Sequence, residues 1–237
     1  MRVEVHPDPL AVAARAAQVL ARAITAAVDE RGVCSVAFSG GRTPRRMLEI
    51  LTALPLPWER LHVFQVDERI APKGSDARNL TDLESTFLER SRIPKSRLHA
   101  MPVEAADLVQ AAAHYAQVLE QFAGSPPVLD LIHLGLGTDG HAASLLPRDP
   151  VLAVKDRDVA ISGMYRGYRR MTLTLPPLNR TRCVLWVVCG SEKAESAAQL
   201  YHGEQSIPAG AVCRKHALLL LDQAAAPLMA KGAGKKA

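Results

Sequence analysis

The chain has 237 residues, 48% hydrophobic and 22% charged, which is the balance of a soluble globular protein long enough to bury a core in one large or two small α/β domains. The formal net charge is +5, but Lys231, Lys235 and Lys236 stand in a Gly/Ala-rich tail; without those three, +2 remains. With aromatics at only 4%, this excludes a basic, stacking nucleic-acid surface. No uninterrupted apolar run approaches the ~20 residues that span a bilayer. The first ten residues carry no signal core, and Cys34, Cys183, Cys189 and Cys213 form no CxxC pair, so the expectation is a cytoplasmic protein with reduced thiols and no membrane contact.

In chain order, residues 8–31 read as a helix. Asp8 can cap it, Pro9 suits its first turn, an apolar stripe runs through Val12, Val19, Leu20, Ile24 and Val28, and Gly32 ends it. Residues 33–38 (VCSVAF) form a short buried strand. Ser39-Gly40-Gly41-Arg42-Thr43-Pro44 follows, with a helix over 44–53. A strand, a small-residue turn and a helix start can aim backbone N–H groups and a helix dipole at an anion, with Ser39 and Thr43 adding hydroxyls; an ordinary tight connection has the same spelling. The loop is not GxxxxGK[ST].

Residues 61–66 are the next strand, with Asp67-Glu68-Arg69 at its end as site residues or a solvated loop. Residues 75–80 (SDARNL) lead into a helix through residue 89, with Thr81 and Glu84 spaced as a capping box. A short strand over 97–101 and a helix over 105–122 come next. The strand 128–133 then runs into LGLGTDGHAASLLP (134–147). Its three close glycines let the backbone approach a ligand, and Asp139 and His141 supply an acid and a base. Residues 142–146 read as apolar packing or a helical turn closed by Pro147. Strands follow at 159–162 and 171–175, with Arg166, Arg169 and Arg170 between or beside them, then a turn over 176–180. A central strand at 183–189, a helix over 190–201, a last strand at 217–221 and a short helix from Asp222 complete the chain.

Alternating strands and helices predict an α/β fold with a mostly parallel sheet covered by helices on both faces. Glycine-rich or polar turns after residues 38, 66 and 134 share one crevice if their strands are neighbours. Among the chemistries, zincin ligand spacing and GxSxG are absent. Residues 135–140 do spell GxGxxG, but late in the chain and followed by His141 rather than by a plain helix. General-base chemistry by His141 on a small phosphorylated substrate held by cations remains.

Six segments carry a resemblance: SGGRTP (39–44), VDER (66–69), SDARNL with Asn79, LGLGTDGHAASLLP (134–147), RRMTLTLPPLN (169–179) and GSEKAES (190–196). In order and approximate spacing they resemble the 6-phosphogluconolactonase family, related to the sugar-phosphate isomerase/deaminases. The resemblance implies a modified Rossmann-like fold over residues 1–230 as one sugar-phosphate lactonase domain, with 231–237 a basic flexible tail. It implies that no metal or organic cofactor is needed, and separately the expectation is a monomer. It also implies hydrolysis of 6-phospho-D-glucono-1,5-lactone to 6-phosphogluconate, a step of the oxidative pentose phosphate pathway.

Residue by residue, the resemblance implies His141 as general base, with Asp139 and Asp67 orienting it or the sugar hydroxyls. It implies Ser39, Gly40, Gly41, Thr43, Asn79 and Gly137 around the substrate, and Arg69, Arg170 and Lys193 on the phosphate. Arg42 and Arg78 depart from the family pattern and stand open as extra phosphate ligands or solvated charges. Two rivals are an amino-sugar-phosphate isomerase/deaminase, which places a carboxylate soon after the histidine where residues 142–147 have none, and a non-enzymatic sugar-phosphate sensor.

Overall fold

The computed structural model describes residues 1–229, so the tail expected at 231–237 lies outside the described residues. The strands in chain order are β1 (Arg2–His6), β2 (Cys34–Phe38), β3 (Leu61–Gln65), β4 (Asp67–Arg69), β5 (Leu98–His99), β6 (Leu131–Leu134), β7 (Val159–Tyr165), β8 (Tyr168–Leu173), β9 (Val184–Val188) and β10 (Ala217–Asp222). The helices are α1 (Pro9–Arg31), α2 (Arg42–Thr52), α3 (Asn79–Leu83), α4 (Leu108–Ala123), α5 (Leu175–Arg180) and α6 (Ala194–His202). Seven strands form a parallel sheet in the order β1-β10-β9-β6-β2-β3-β5, and β4, β8 and β7 form a small antiparallel sheet. The expected α/β class is therefore observed.

Chain order and sheet order together explain the site. From β2 the chain moves to β3 and β5 in one direction; from β6 it moves to β9 and β10 in the other. The carboxyl ends of β2 and β6, neighbours through Phe38 and His133, flank the point where the order reverses. A crevice opens there because the connections leave to opposite sides. One apolar layer packs α1 and α2 on a sheet face through Leu20, Ile24, Met47 and Leu51. The other face is covered by Tyr115 and Leu119 of α4, Ala197 of α6 and Met171 of β8. By length and composition alone α1 qualifies to cross a membrane; in the fold its Val12, Ala16, Leu20 and Ile24 stripe is packed on the sheet.

α1 keeps its expected ends, with Asp8 accepting from the Ala11 N–H at 2.8 Å and Gly32 left-handed at φ 77°. Several local expectations fail for physical reasons. β1 went unread because it is an edge strand whose Glu4 is tied to Arg15 of α1 by two hydrogen bonds, at 2.6 and 2.8 Å. Residues 67–69 are a strand rather than a loop, paired with β8. The Thr81/Glu84 capping box does not form: Thr81 lies inside α3, and the buried Glu68 carboxylate caps that helix, accepting from the Asn79 and Leu80 N–H groups at 2.8 Å each. Residues 142–146 form turns closed by an Ala142–Leu145 bridge, and 176–180 belong to a helix with prolines in its first turn. Beyond Asp222 the described chain makes turns, because that carboxylate accepts from the Ala225 N–H at 2.9 Å instead of starting a helix.

Candidate active site

A cleft of about 650 Å³ lies over the reversal point. Of the residues singled out from the sequence, Ser39, Gly40, Gly41, Thr43, Asp67, Arg69, Asn79, Gly137, His141, Arg170 and Lys193 line it. Asp139 does not line it and sits behind His141. Its Oδ1 lies 2.6 Å from His141 Nδ1 and its Oδ2 accepts from the Tyr165 hydroxyl at 2.9 Å. A carboxylate on Nδ1 fixes the proton there and leaves Nε2 as the basic nitrogen. Burial works to raise the Asp139 carboxyl, but the charge of His141 and the hydrogen bonds from His141 and Tyr165 hold it below its ordinary value.

The loop that carries this pair is closed on itself. Gly137 N–H donates to His141 O at 2.8 Å, and Gly140 N–H donates to Gly137 O at 3.1 Å. Those two donors are spent within the loop and are not available to an anion. Gly137 has a different necessity: a Cβ there would stand 2.1 Å from His141 Nδ1 and 2.4 Å from Asp139 Oδ1. Gly40 is required in the same way, since a Cβ would meet Asn79 Oδ1 at 2.0 Å.

Asp67 is buried and fully engaged. Oδ1 accepts from Asn79 Nδ2 at 3.2 Å, while Oδ2 accepts from the Ser144 hydroxyl at 2.5 Å and lies 4.0 Å from Arg170 Nη1. It orients Asn79 and Arg170, and no hydrogen bond joins it to His141. Ser39 is also inward-tied, its hydroxyl donating to the His133 carbonyl at 3.1 Å, so it is not the free hydroxyl donor expected. α2 begins two residues earlier than expected, with Gly41 at its N-cap and no side chain on its first N–H groups, at the edge of the cleft.

The cations converge from four places in the fold. Arg69 and Arg170 are cross-strand partners in β4 and β8, Arg166 stands at the β7–β8 turn, and Lys193 precedes α6. Like charges directly opposite one another repel unless an anion lies between them. Arg69 Nη1 donates to Ala77 O at 2.6 Å, and the buried Nε atoms of Arg69 and Arg170 have no partner among the described residues. Burial holds Arg170 below the ordinary guanidinium value, helped by Arg69 and Arg166 against the pull of Asp67. Burial likewise lowers Lys193, with Arg166 adding to it and Glu192 and Asp139 opposing. An anion placed among these cations would relieve this crowding. Of the two departures from pattern, Arg78 lines the cleft and is not solvated. It is buried, 3.3 Å from Glu68 and 2.8 Å from Glu104. The side chain of Arg42 lies outside the described residues.

Sequence reading missed Ser144 and Tyr165 and the roles of Glu68 and Asp222. Glu68 accepts from Arg69 N–H at 2.7 Å and from Gln65 Nε2 at 2.8 Å in addition to capping α3. Asp222 holds the loop before Lys193, both of its oxygens 3.1 Å from Gly190 N. The position of Glu68 inside VDER was a usable signal; Tyr165 belongs to no motif. Among the described residues no cluster of three His, Cys, Asp or Glu side chains is placed to hold a metal ion.

The model of the glucosamine-6-phosphate isomerases/6-phosphogluconolactonase family matches residues 7–221. A 6-phosphogluconolactonase of Synechocystis sp. is 40% identical over 210 residues, covering 85% of this chain and 87% of that protein. One of Mycobacterium tuberculosis is 37% identical over 238 residues, covering 94% and 96%. The solved 6-phosphogluconolactonase of Thermotoga maritima superposes with a TM-score of 0.83 at 26% identity, over 93% of this chain and 98% of that one. A monomeric glucosamine-6-phosphate deaminase shares the fold at a TM-score of 0.84 and 18% identity, over 95% and 98%.

Proposed function

The chain belongs to the glucosamine-6-phosphate isomerase/6-phosphogluconolactonase family, and from that premise we propose that it hydrolyses the ring ester of 6-phospho-D-glucono-1,5-lactone to give 6-phosphogluconate. The observation that carries the reading is the sharing of one cleft by a carboxylate-backed imidazole, His141, and the cations Arg69, Arg166, Arg170 and Lys193.

The phosphate binds the cations, which fixes the distant end of a small polar substrate and brings its carbonyl carbon beside the imidazole. His141 Nε2 takes a proton from water as the water oxygen bonds to that carbon. Negative charge grows on the carbonyl oxygen, where the uncapped start of α2 and the neighbouring cations stabilise it. The bond from carbon to ring oxygen then breaks, and protonated His141 returns its proton to that oxygen. Asp139 keeps the ring in the Nδ1–H form and balances the imidazolium during the step. The new carboxylic acid ionises and releases one proton per turnover, which is the signal to follow.

The isomerase/deaminase alternative lacks a carboxylate over residues 142–147. The next one, Asp149, is occupied by the N–H groups of Val151 and Gly163 at 2.9 and 2.7 Å. Freshly generated lactone supplies the test, with spontaneous opening subtracted. Acid release above the blank and no ammonia from glucosamine 6-phosphate is the expected pair of results; ammonia release with no acid release would replace this reading with its rival.

A further inference from the structure

Tyr165 touches both halves of the cleft. Its hydroxyl donates to Asp139 Oδ2 at 2.9 Å, and its ring meets the His141 ring edge-on with centroids 5.3 Å apart. The guanidinium carbons of Arg170 and Arg166 lie 5.1 and 5.3 Å from its ring centroid. The backbone fixes this placement: Arg166 at φ 48° and Gly167 at φ 84° make the two-residue turn that a right-twisted hairpin prefers. Asp149 ties the strand two residues earlier through Gly163 N. We propose that Tyr165 is the positioning residue of the His141–Asp139 pair, locking the carboxylate onto Nδ1 and holding the imidazole in register with the cations that anchor the substrate. The inference rests on the lactonase reading given above.

The physical argument is one of geometry. Asp139 stands in the loop after β6 and keeps one oxygen on His141. Its second oxygen accepts from Tyr165, which comes from another sheet. Without the hydroxyl the carboxylate is free to turn about its Cβ–Cγ bond, and the fraction of His141 held in the Nδ1–H form falls. The other charges facing the pair are Arg166, Arg170 and Lys193, none of which accepts a proton from Nδ1.

Tyr165→Phe keeps the ring, and with it the contacts to His141 and both arginines, while deleting the hydroxyl. Loss of one hydrogen bond to a charged group predicts a fall in kcat of roughly 10-fold, with KM unchanged. A second reading needs no turnover: nitrogen NMR of histidine-labelled protein near pH 8.5, where an ordinary imidazole is neutral at roughly two units above its pKa. The expected change is a shift of His141 from the Nδ1–H form toward the Nε2–H form in the variant. An unchanged kcat overturns the inference, and so does a lower kcat with an unchanged tautomer mixture. A wild-type protein that does not open the lactone at all removes the lactonase reading instead, while the tautomer comparison still reports on Tyr165.

Discussion

Gly137→Ala places the reasoning about the site under direct strain. The backbone at Gly137 is not left-handed, so alanine costs little conformationally and the fold is retained. The added methyl, however, would lie 2.1 Å from His141 Nδ1 and 2.4 Å from Asp139 Oδ1. Ordinary contact begins at about 3.5 Å, so the pair must retreat by roughly 1 Å or more. A misplacement of that size near the reacting atoms costs about 10²-fold in rate, or about 2.7 kcal/mol of barrier. The cations stand on other elements and keep their places, so KM stays close to wild type. The assay is proton release from fresh lactone over a range of concentrations, alongside a thermal melt. A variant that melts as wild type and keeps kcat within threefold would refute the claim that this glycine exists to admit the Asp139–His141 pair.

Other perturbations test the remaining parts. Lys193→Ala removes one phosphate contact; KM for the lactone should rise about 10-fold or more and competitive inhibition by inorganic phosphate should weaken, with kcat less affected. Glu68→Gln sets an amide NH2 against backbone donors and removes one of the two carboxylates beside Arg78. A loss of about 3–5 kcal/mol is expected, seen as a melting point lower by roughly 6–20 °C, together with lost activity because Arg69 and Asn79 depend on the same carboxylate. Stability should also fall in acid. Burial pushes His133 down to about 3 and, with His62 and Arg97 beside it, His99 down to about 4, while the unfolded chain titrates near 6.5. The folded state therefore refuses protons that the unfolded state accepts. Stability is complete above the unfolded value and is lost as pH falls through 6.5 toward the folded values, at about 1.4 kcal/mol per pH unit for His133 alone. Urea midpoints that are equal at pH 7 and pH 5 would contradict this.

The sheet and its switch point were legible because the sequence spells them locally. VCSVAF, LHVFQV and CVLWVVC are too apolar to lie anywhere but between two helical layers, and the glycine-rich turns mark their carboxyl ends. The placement of His141 beside Ser39, Arg69 and Lys193 follows from that topology. What the sequence did not reveal was the use made of each polar atom. Ser39 and Asp67 read as substrate-facing groups, yet their oxygens are spent on His133, Asn79 and Ser144. Such commitments depend on contacts between residues as much as 94 positions apart, which no local pattern encodes. The same holds for Glu68, whose capping of α3 displaced the local Thr81/Glu84 box, and for Tyr165, whose importance lies in a hairpin folding over a distant loop. β1 is an edge strand pinned by a side-chain pair, and its short polar–apolar alternation carries little signal without the neighbouring β10.

The central claim is that one imidazole works in a cleft whose cations grip a phosphate. It is tested most directly by kcat/KM for phosphorylated against unphosphorylated gluconolactone, measured in wild type and in His141→Ala. The account predicts a preference for the phosphorylated lactone of roughly 10²–10⁴-fold in wild type, from two or more charge-assisted contacts. It also predicts a kcat lower by about 10²–10⁴-fold in the variant, with KM kept. Equal rates on the two lactones, or a His141→Ala protein that turns over like wild type, would contradict it.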